Sequence, residues 1–229
     1  MADSRDPDLL ARGLDRAGIL LPATAVERLH RYLDELHRWN RTVNLVGDAP
    51  AEVIIDRHFL DSLALLDLID EQPGTVSLLD IGTGAGFPGL VLKAARPGLG
   101  LALVEPRQKR TAFLRHVIRC LALSGVTVHT LHLRGDVPAQ LAAVGRHRLV
   151  VSRALADTGS FLSLAAPFCA DDGLAICMKG GAGAPAELAA LERLPLPFHL
   201  ERTLTYTLPL GGDGRSLLLF RRRPRLEKG

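Results

Sequence analysis

Residues 78–90 read LLDIGTGAGFPGL, and this stretch decides the fold. The run VSLLDI (76–81) is short and apolar on both alternating faces, as expected of a strand buried on both sides in a parallel sheet. It gives way to glycines at 82, 84, 86 and 89. A chain that leaves a strand for a helix through glycines lets its backbone come close to a ligand. Gly84-Ala85-Gly86-Phe87-Pro88-Gly89 fits GxGxxG, the dinucleotide fingerprint, and would equally suit a tight strand–helix turn. Asp80 argues against a pyrophosphate. It makes the motif acid-x-Gly-x-Gly-x-Gly, and a carboxylate there repels a diphosphate but suits a cationic ligand. The dinucleotide fingerprint usually opens its helix without that acid. S-adenosylmethionine, with an ammonium, a sulfonium and a ribose diol, fits better. The next strand ends at Glu105, placed to accept from the ribose hydroxyls as acids do at this point of doubly wound folds. A helix N-terminal charge is the alternative role for it.

Outward from this loop the pattern repeats. Strands are expected at LALVE (101–105), VTVHTL (126–131), around RLVVSRAL (148–155) and at LAICMKG (174–180). Helices are expected from Pro88, over 107–123, 138–144 and 159–170. Such alternation implies a parallel sheet with helices on both faces. At the end, FHLERTLTYTL and RSLLLF flank PLGGDG with no room for a helix, which predicts an antiparallel C-terminal hairpin.

Upstream the pattern is helical. Thr24 and Glu27 have capping-box form, and Val26, Leu29, Leu33, Leu36 and Val43 recur at helical spacing over about 25–42, with Glu27/Arg31 and Asp34/Arg38 as surface pairs. A second helix is expected over 49–70, with Asp48 as N-cap, Pro50 in the first turn and Arg57/Asp61 as a structural i,i+4 pair. The expected division is a helical region at 1–73 and an α/β domain at 74–229, parted near Pro73-Gly74.

No apolar run approaches a membrane span, and the polar, acidic N-terminal residues do not resemble a signal peptide. Cys120, Cys169 and Cys177 are odd in number and lack a CxxC pair, which disfavours both a disulfide framework and a metal site. A reduced cytoplasmic protein is expected. Of the formal charge of +3, the terminal RRRPRLEK carries +4, which leaves −1 on the rest. Basicity concentrated at one end points either to a polyanionic partner or to a solvated tail.

The motifs DIGTGAGFPG, EPRQKRTAFLRHV, VVSRALA and CMKG, preceded by RWNRTVNLVG and RHFLDSL, resemble in order and spacing the bacterial 16S ribosomal RNA guanine-N7 methyltransferases, the RsmG or glucose-inhibited-division-B family. The resemblance spans roughly residues 25–222. It implies a Rossmann-like class I methyltransferase fold with a seven-stranded, mostly parallel sheet. It implies S-adenosylmethionine as donor, S-adenosylhomocysteine as product, and transfer to N7 of guanine 527 of 16S rRNA, within the small ribosomal subunit or its precursor, by a monomer. Cofactor contacts are implied at Gly82, Phe87, Gly135, Asp136 and Arg153. Asp136 stands where relatives often carry Glu.

The residues allow that chemistry. Guanine N7 has a lone pair and no proton, so transfer to it needs no general base. VVSRAL replaces the Asn/Asp-Pro-Pro-Tyr loop that grips an exocyclic amine, and no Pro-Cys pair offers a nucleophile for a pyrimidine carbon. No certain catalytic residue is expected. Arg153 is the candidate for orientation and electrostatics, with a strand-end ion pair as its plainer role. His58 suits a helix histidine, Trp39 and Asn40 helix-end packing and capping, and Lys109, Arg115 and Arg119 a solvated helix face. A NAD-dependent oxidoreductase, a non-catalytic RNA-binding module and a small-molecule methyltransferase are the competing readings.

Overall fold

The computed structural model describes residues 6–133, 137–153, 157–181, 191 and 195–223. Strands β1 (Ser77–Ile81), β2 (Gly100–Val104), β3 (Val126–His129), β4 (His147–Ser152), β5 (Cys169–Gly180), β6 (Phe198–Thr207) and β7 (Gly214–Arg222) form one sheet in the order β3-β2-β1-β4-β5-β7-β6. The first five are parallel, and β7 runs antiparallel between β5 and β6. This is the expected class I methyltransferase architecture, with the C-terminal hairpin closing one edge.

Side-chain parity explains the doubly apolar strands. Leu78, Leu101, Leu103, Leu149, Val151, Leu174, Ile176, Leu217 and Leu219 face one core. Their neighbours Leu79, Ile81, Ala102, Val104, Val150, Ala175, Cys177, Leu218 and Phe220 face the other. Helices α6 (Gly89–Ala95) and α7 (Gln108–Cys120) cover the first face, and α9 (Thr158–Ala165) packs on the second. Helix α8 (Val137–Val144) precedes β4. The N-terminal helices α1 (Asp6–Arg16) and α2 (Ala23–Val43) share the first core through Leu10, Leu29, Tyr32, Leu33 and Leu36. Among the described residues, no helix is long and apolar enough to cross a membrane.

Local detail departs from expectation at both early helices. Helix α2 starts one residue before Thr24. Its N-cap is Pro22 with no side-chain cap bond, and the Pro22 carbonyl accepts from Ala25 N at 2.8 Å. Proline's fixed φ already turns the chain, and the exposed first-turn amides can be solvated, so no hydroxyl is required. Arg38 pairs with Glu35 at 3.1 Å. Asn40 does cap the helix end: its Oδ1 accepts from Leu45 N and Val46 N at 2.7 and 3.0 Å.

The expected 49–70 helix is interrupted. Pro50 is its N-cap, followed by α3 (Ala51–Ile54), a π-helical segment (Ile55–Leu60), α4 (Asp61–Leu63) and α5 (Leu66–Asp70). Asp61 is buried while Arg57 is exposed, and Asp61 meets Tyr206, Arg215 and Arg153 instead. The expected pair does not form. Arg57 instead reaches Asp213 of the hairpin turn, with Nε 2.9 Å from Oδ2.

Two of the terminal cations are also structural. Arg221 forks onto Glu201 at 2.5 and 2.8 Å. Arg222 is buried and donates to the Ala166 and Cys169 carbonyls. Strand β7 thus absorbs two of the charges that sequence placed in a basic tail. Residues 224–229 lie outside the described residues.

Candidate functional site

Strand order reverses between β1 and β4, since β2 and β3 lie on one side of β1 while β4 and β5 lie on the other. The carboxyl ends of β1 and β4 therefore border the crevice where open α/β sheets bind ligands. The glycine loop leaves β1 there, and Ser152-Arg153 leaves β4 there. Ser152 ties the two strands by donating to the Ile81 carbonyl at 2.9 Å.

Asp80 is fully buried beneath the loop. Its Oδ2 accepts from Thr83 Oγ1 at 2.6 Å and from Gly89 N at 2.9 Å, bracing both ends of the turn. Its Oδ1 is buried without a hydrogen-bond partner. Burial pushes the Asp80 carboxyl up to about 7, against the pull of these bonds and of Arg153. At Gly82, φ is +74° and a Cβ would meet only open space, so the backbone conformation, not crowding, calls for glycine. Glu105, at the tip of β2, accepts from Gly84 N at 3.1 Å and from Arg107 N at 3.0 Å, with Arg110 at 3.8 Å. A carboxylate has about four lone-pair directions, so acceptor capacity remains for a diol. The open floor at Gly82, the orphaned Asp80 oxygen and the Glu105 carboxylate together fit a polar, partly cationic nucleoside ligand.

The loop's far side carries an aromatic stack. The Phe87 ring is buried and lies parallel to His58 (4.9 Å, 19°) and to Tyr32 (5.7 Å, 15°), with Phe59 edge-on at 5.4 Å. Phe87 thus spends its side chain on packing, and any ligand contact there falls to its backbone. Tyr32 donates its hydroxyl to the Ala85 carbonyl, locking α2 to the loop. A Cβ at Gly86, where φ is +101°, would collide with that hydroxyl and with Leu90.

Arg153 lies 5.2 Å over the Phe87 ring. It donates to the Arg57 carbonyl at 2.8 Å and to His58 Nδ1 at 2.6 Å, and it sits 3.7 Å from Asp61. A guanidinium can only donate, so His58 Nδ1 accepts and its proton resides on Nε2. Burial, then the charges of Arg153 and Arg57, push the His58 imidazole down to about 3. Asp61 accepts from the Tyr206 hydroxyl at 2.7 Å and has Arg215 at 3.5 Å. Burial raises the Asp61 carboxyl above its ordinary range, and the two arginines and Tyr206 oppose that. Neighbouring Asp56 is buried and accepts from Leu210 N and Gly211 N at 3.1 and 2.7 Å, capping the hairpin turn.

The structure thus gathers Asp80, Gly82, Gly84, Gly86, Phe87, Glu105 and Arg153 around one crevice. Gly135 and Asp136 lie outside the described residues. Sequence reading missed Tyr32, Tyr206 and Arg215. Tyr32 had a signal: with Leu29 and Leu36 it completes the buried stripe of α2 at steps of three and four. Tyr206 and Arg215 had none, because they meet Asp61 only through the hairpin.

A family model described as rRNA small subunit methyltransferase G matches residues 25–203. The curated Ribosomal RNA small subunit methyltransferase G of Desulfotalea psychrophila is 42% identical, over 93% of this chain and 96% of its own. Among solved structures, TrmN from Thermus thermophilus superposes with a TM-score of 0.54 at 19% identity, covering 81% of this chain and 52% of its own. A mutant of MtNAS in complex with S-adenosylmethionine superposes at 0.53 and 18% identity, covering 88% and 77%. These two likenesses speak to the fold.

Proposed function

The chain belongs to the rRNA small subunit methyltransferase G family, and from that premise we propose how this crevice methylates N7 of guanine in 16S rRNA, at guanine 527 of the small subunit. S-adenosylmethionine, when bound, supplies an electrophilic methyl on a sulfonium. The loop at Gly82, Gly84 and Gly86 holds it, with Asp80 below and Glu105 at the ribose side. Gly135 and Asp136 complete the adenine side in this reading. We place the helical region at 1–73 as the substrate-side wall, through its π-helical segment, and 74–229 as the donor-binding domain. The protein acts in the cytoplasm, as a monomer and without a membrane, on the ribosomal subunit or its precursor.

The observation that carries the chemistry is the state of the groups at the mouth. His58 is held neutral with its Nδ1 lone pair engaged by Arg153, and Asp61 is engaged by Tyr206 and flanked by two arginines. His58 therefore takes no proton near neutral pH, and Asp61 has its carboxylate oxygens occupied by these partners. Guanine N7 presents a lone pair without a proton, so the side chains need only position the base and exclude water. Alignment alone supplies a large part of such an acceleration. Arg153, anchored at four points, serves as an orienting cation beside the guanine edge or its phosphate, and half-exposed Arg57 extends that positive rim. Arg153 does not bond N7 itself, since that would block attack.

Mapping N7-methylguanine in 16S rRNA from cells with and without the gene tests the assignment. Loss of the mark at one guanine, restored by the purified protein and donor on undermethylated subunits, is expected. Full methylation without the gene, or binding of a nicotinamide dinucleotide in preference to the sulfonium donor, would overturn it.

A further inference from the structure

Helices α2 and α7 cross on the side of the protein where Trp39 packs on Phe113 and His116, at 5.6 and 5.2 Å between ring centroids. Three metal-ligating groups meet there. His116 and Cys120 are one turn apart on α7, and Glu35 reaches them from α2. His116 Nε2 lies 2.7 Å from Glu35 Oε2 and 3.3 Å from Cys120 Sγ, and the three donor atoms all fall within 4.8 Å of one another. All three side chains are partly accessible. None of the three belongs to the residues gathered at the glycine-loop crevice, although Phe113 also neighbours Tyr32, at 6.3 Å between ring centroids.

Two arrangements of acid, imidazole and thiol can be told apart here. In a nucleophile relay the acid and the thiol occupy opposite ring nitrogens. In this cluster both converge on Nε2, while Nδ1 lies 4.0 Å from Sγ. The three donors point at one spot instead of forming a chain. A tetrahedral zinc ion has bonds of about 2.0–2.3 Å, which sets its ligand atoms about 3.3–3.7 Å apart. The sulfur–nitrogen separation already lies at the short end of that range. The nitrogen–oxygen pair, now at hydrogen-bond distance, needs to open by about 0.5 Å. Arg38 holds the other carboxylate oxygen of Glu35 at 3.1 Å, which leaves Oε2 aimed at the cluster.

We propose that Glu35, His116 and Cys120 form a three-ligand site for a borderline-soft divalent transition metal, zinc by preference, with solvent in the fourth position. The thiolate–imidazole–carboxylate set suits zinc and cobalt over the hard cations. On binding, Cys120 Sγ–H loses its proton to solvent, the His116 proton that faces Glu35 from Nε2 moves to Nδ1 through solvent, and metal–sulfur, metal–nitrogen and metal–oxygen bonds replace bonds from the ion to water, with no change of oxidation state. One thiolate and one carboxylate neutralise the ion. The site pins the N-terminal helix to the helix that follows Glu105. Sequence spacing argued against a metal because the ligands come from positions 35, 116 and 120, with no paired cysteines.

The test uses the tag-free full chain, stripped with chelator and titrated with Co²⁺ and then Zn²⁺. One equivalent of Co²⁺ is expected to give tetrahedral visible bands with a thiolate charge-transfer band, bleached by Zn²⁺. C120S should lose the charge-transfer band, and E35Q should weaken Co²⁺ binding by at least about tenfold. Both variants should bind S-adenosylmethionine as the parent does, which reports that they are folded. Zinc should raise the Tm of the parent and leave that of C120S unchanged. No thiolate band at one equivalent, the same band in C120S, or undiminished affinity in E35Q would each overturn the proposal. Loss of methylation activity in the parent would leave this result standing, since the readout is metal binding alone.

Discussion

Replacing Arg153 with Met removes a charge and keeps most of the side chain's bulk. The guanidinium donates to the Arg57 carbonyl and to His58 Nδ1, faces Asp61 at 3.7 Å and covers Phe87. Hydrogen bonds from a charged donor contribute about 1.5–3 kcal/mol, and a cation over a ring about 0.5–2 kcal/mol. Asp61 keeps Tyr206 and Arg215, so the loss stays short of the ~3–5 kcal/mol that follows stripping a buried ion of its sole partner. Urea unfolding should therefore show R153M destabilised by about 2–3 kcal/mol. A local readout is sharper. His58 sits at about 3 because of burial first and of Arg153 and Arg57 next, so R153M should move it up while burial holds it below its ordinary value. With a folded value below the unfolded one, neutral His58 contributes stability fully above the ordinary imidazole range, and this is lost as pH falls toward 3. Asp80 runs the other way. Its raised value means a contribution complete below the ordinary aspartate range and lost as pH rises toward 7. The two windows overlap, so stability against pH mixes them. NMR titration of the His58 ring, assigned by its absence in H58Q, separates them. Parent-like stability of R153M with an unmoved His58 would refute the anchoring described for this arginine.

Three further outcomes are expected. G86A should cost about 2–4 kcal/mol, from its φ and from the collision with Tyr32 and Leu90. In a Y32F background, which itself costs about 1–3 kcal/mol by orphaning the Ala85 carbonyl, the G86A penalty should shrink by about 1 kcal/mol, and strict additivity in urea titrations would contradict the geometry. D56A should leave the Leu210 and Gly211 amides without their acceptor and cost about 2–4 kcal/mol. Hydrogen exchange should then quicken first at residues 208–213. E105Q should weaken S-adenosylmethionine binding by about tenfold, or ~1.4 kcal/mol, in calorimetry. Unchanged affinity would remove Glu105 from the donor site.

By itself the sequence determined the sheet, the hairpin and the place of the glycine loop. Apolar runs such as LLDI and LALV serve both faces of a parallel sheet, and glycines at positive φ mark the turn, so local periodicity carries the information. Asn40 was legible as a cap for the same reason: its partners lie within seven residues. What only the tertiary structure decided are the partnerships across long separations. Arg57 and Asp61 read as partners of each other, yet each turns to the hairpin, Arg57 to Asp213 and Asp61 to Tyr206 and Arg215, because those groups lie about 150 residues away in sequence and leave no local trace; the π-helical segment likewise has no periodic signature. Asp80 reads as a strand-end carboxylate suited to a cationic ligand, and only the fold shows it sealed beneath the turn, with one oxygen bracing the loop and the other unpartnered. Arg221 and Arg222 read as part of a basic tail, either solvated or offered to a polyanion, and are strand residues tied to Glu201 and to two carbonyls, because whether a charge meets water or a partner depends on which strand lies alongside it.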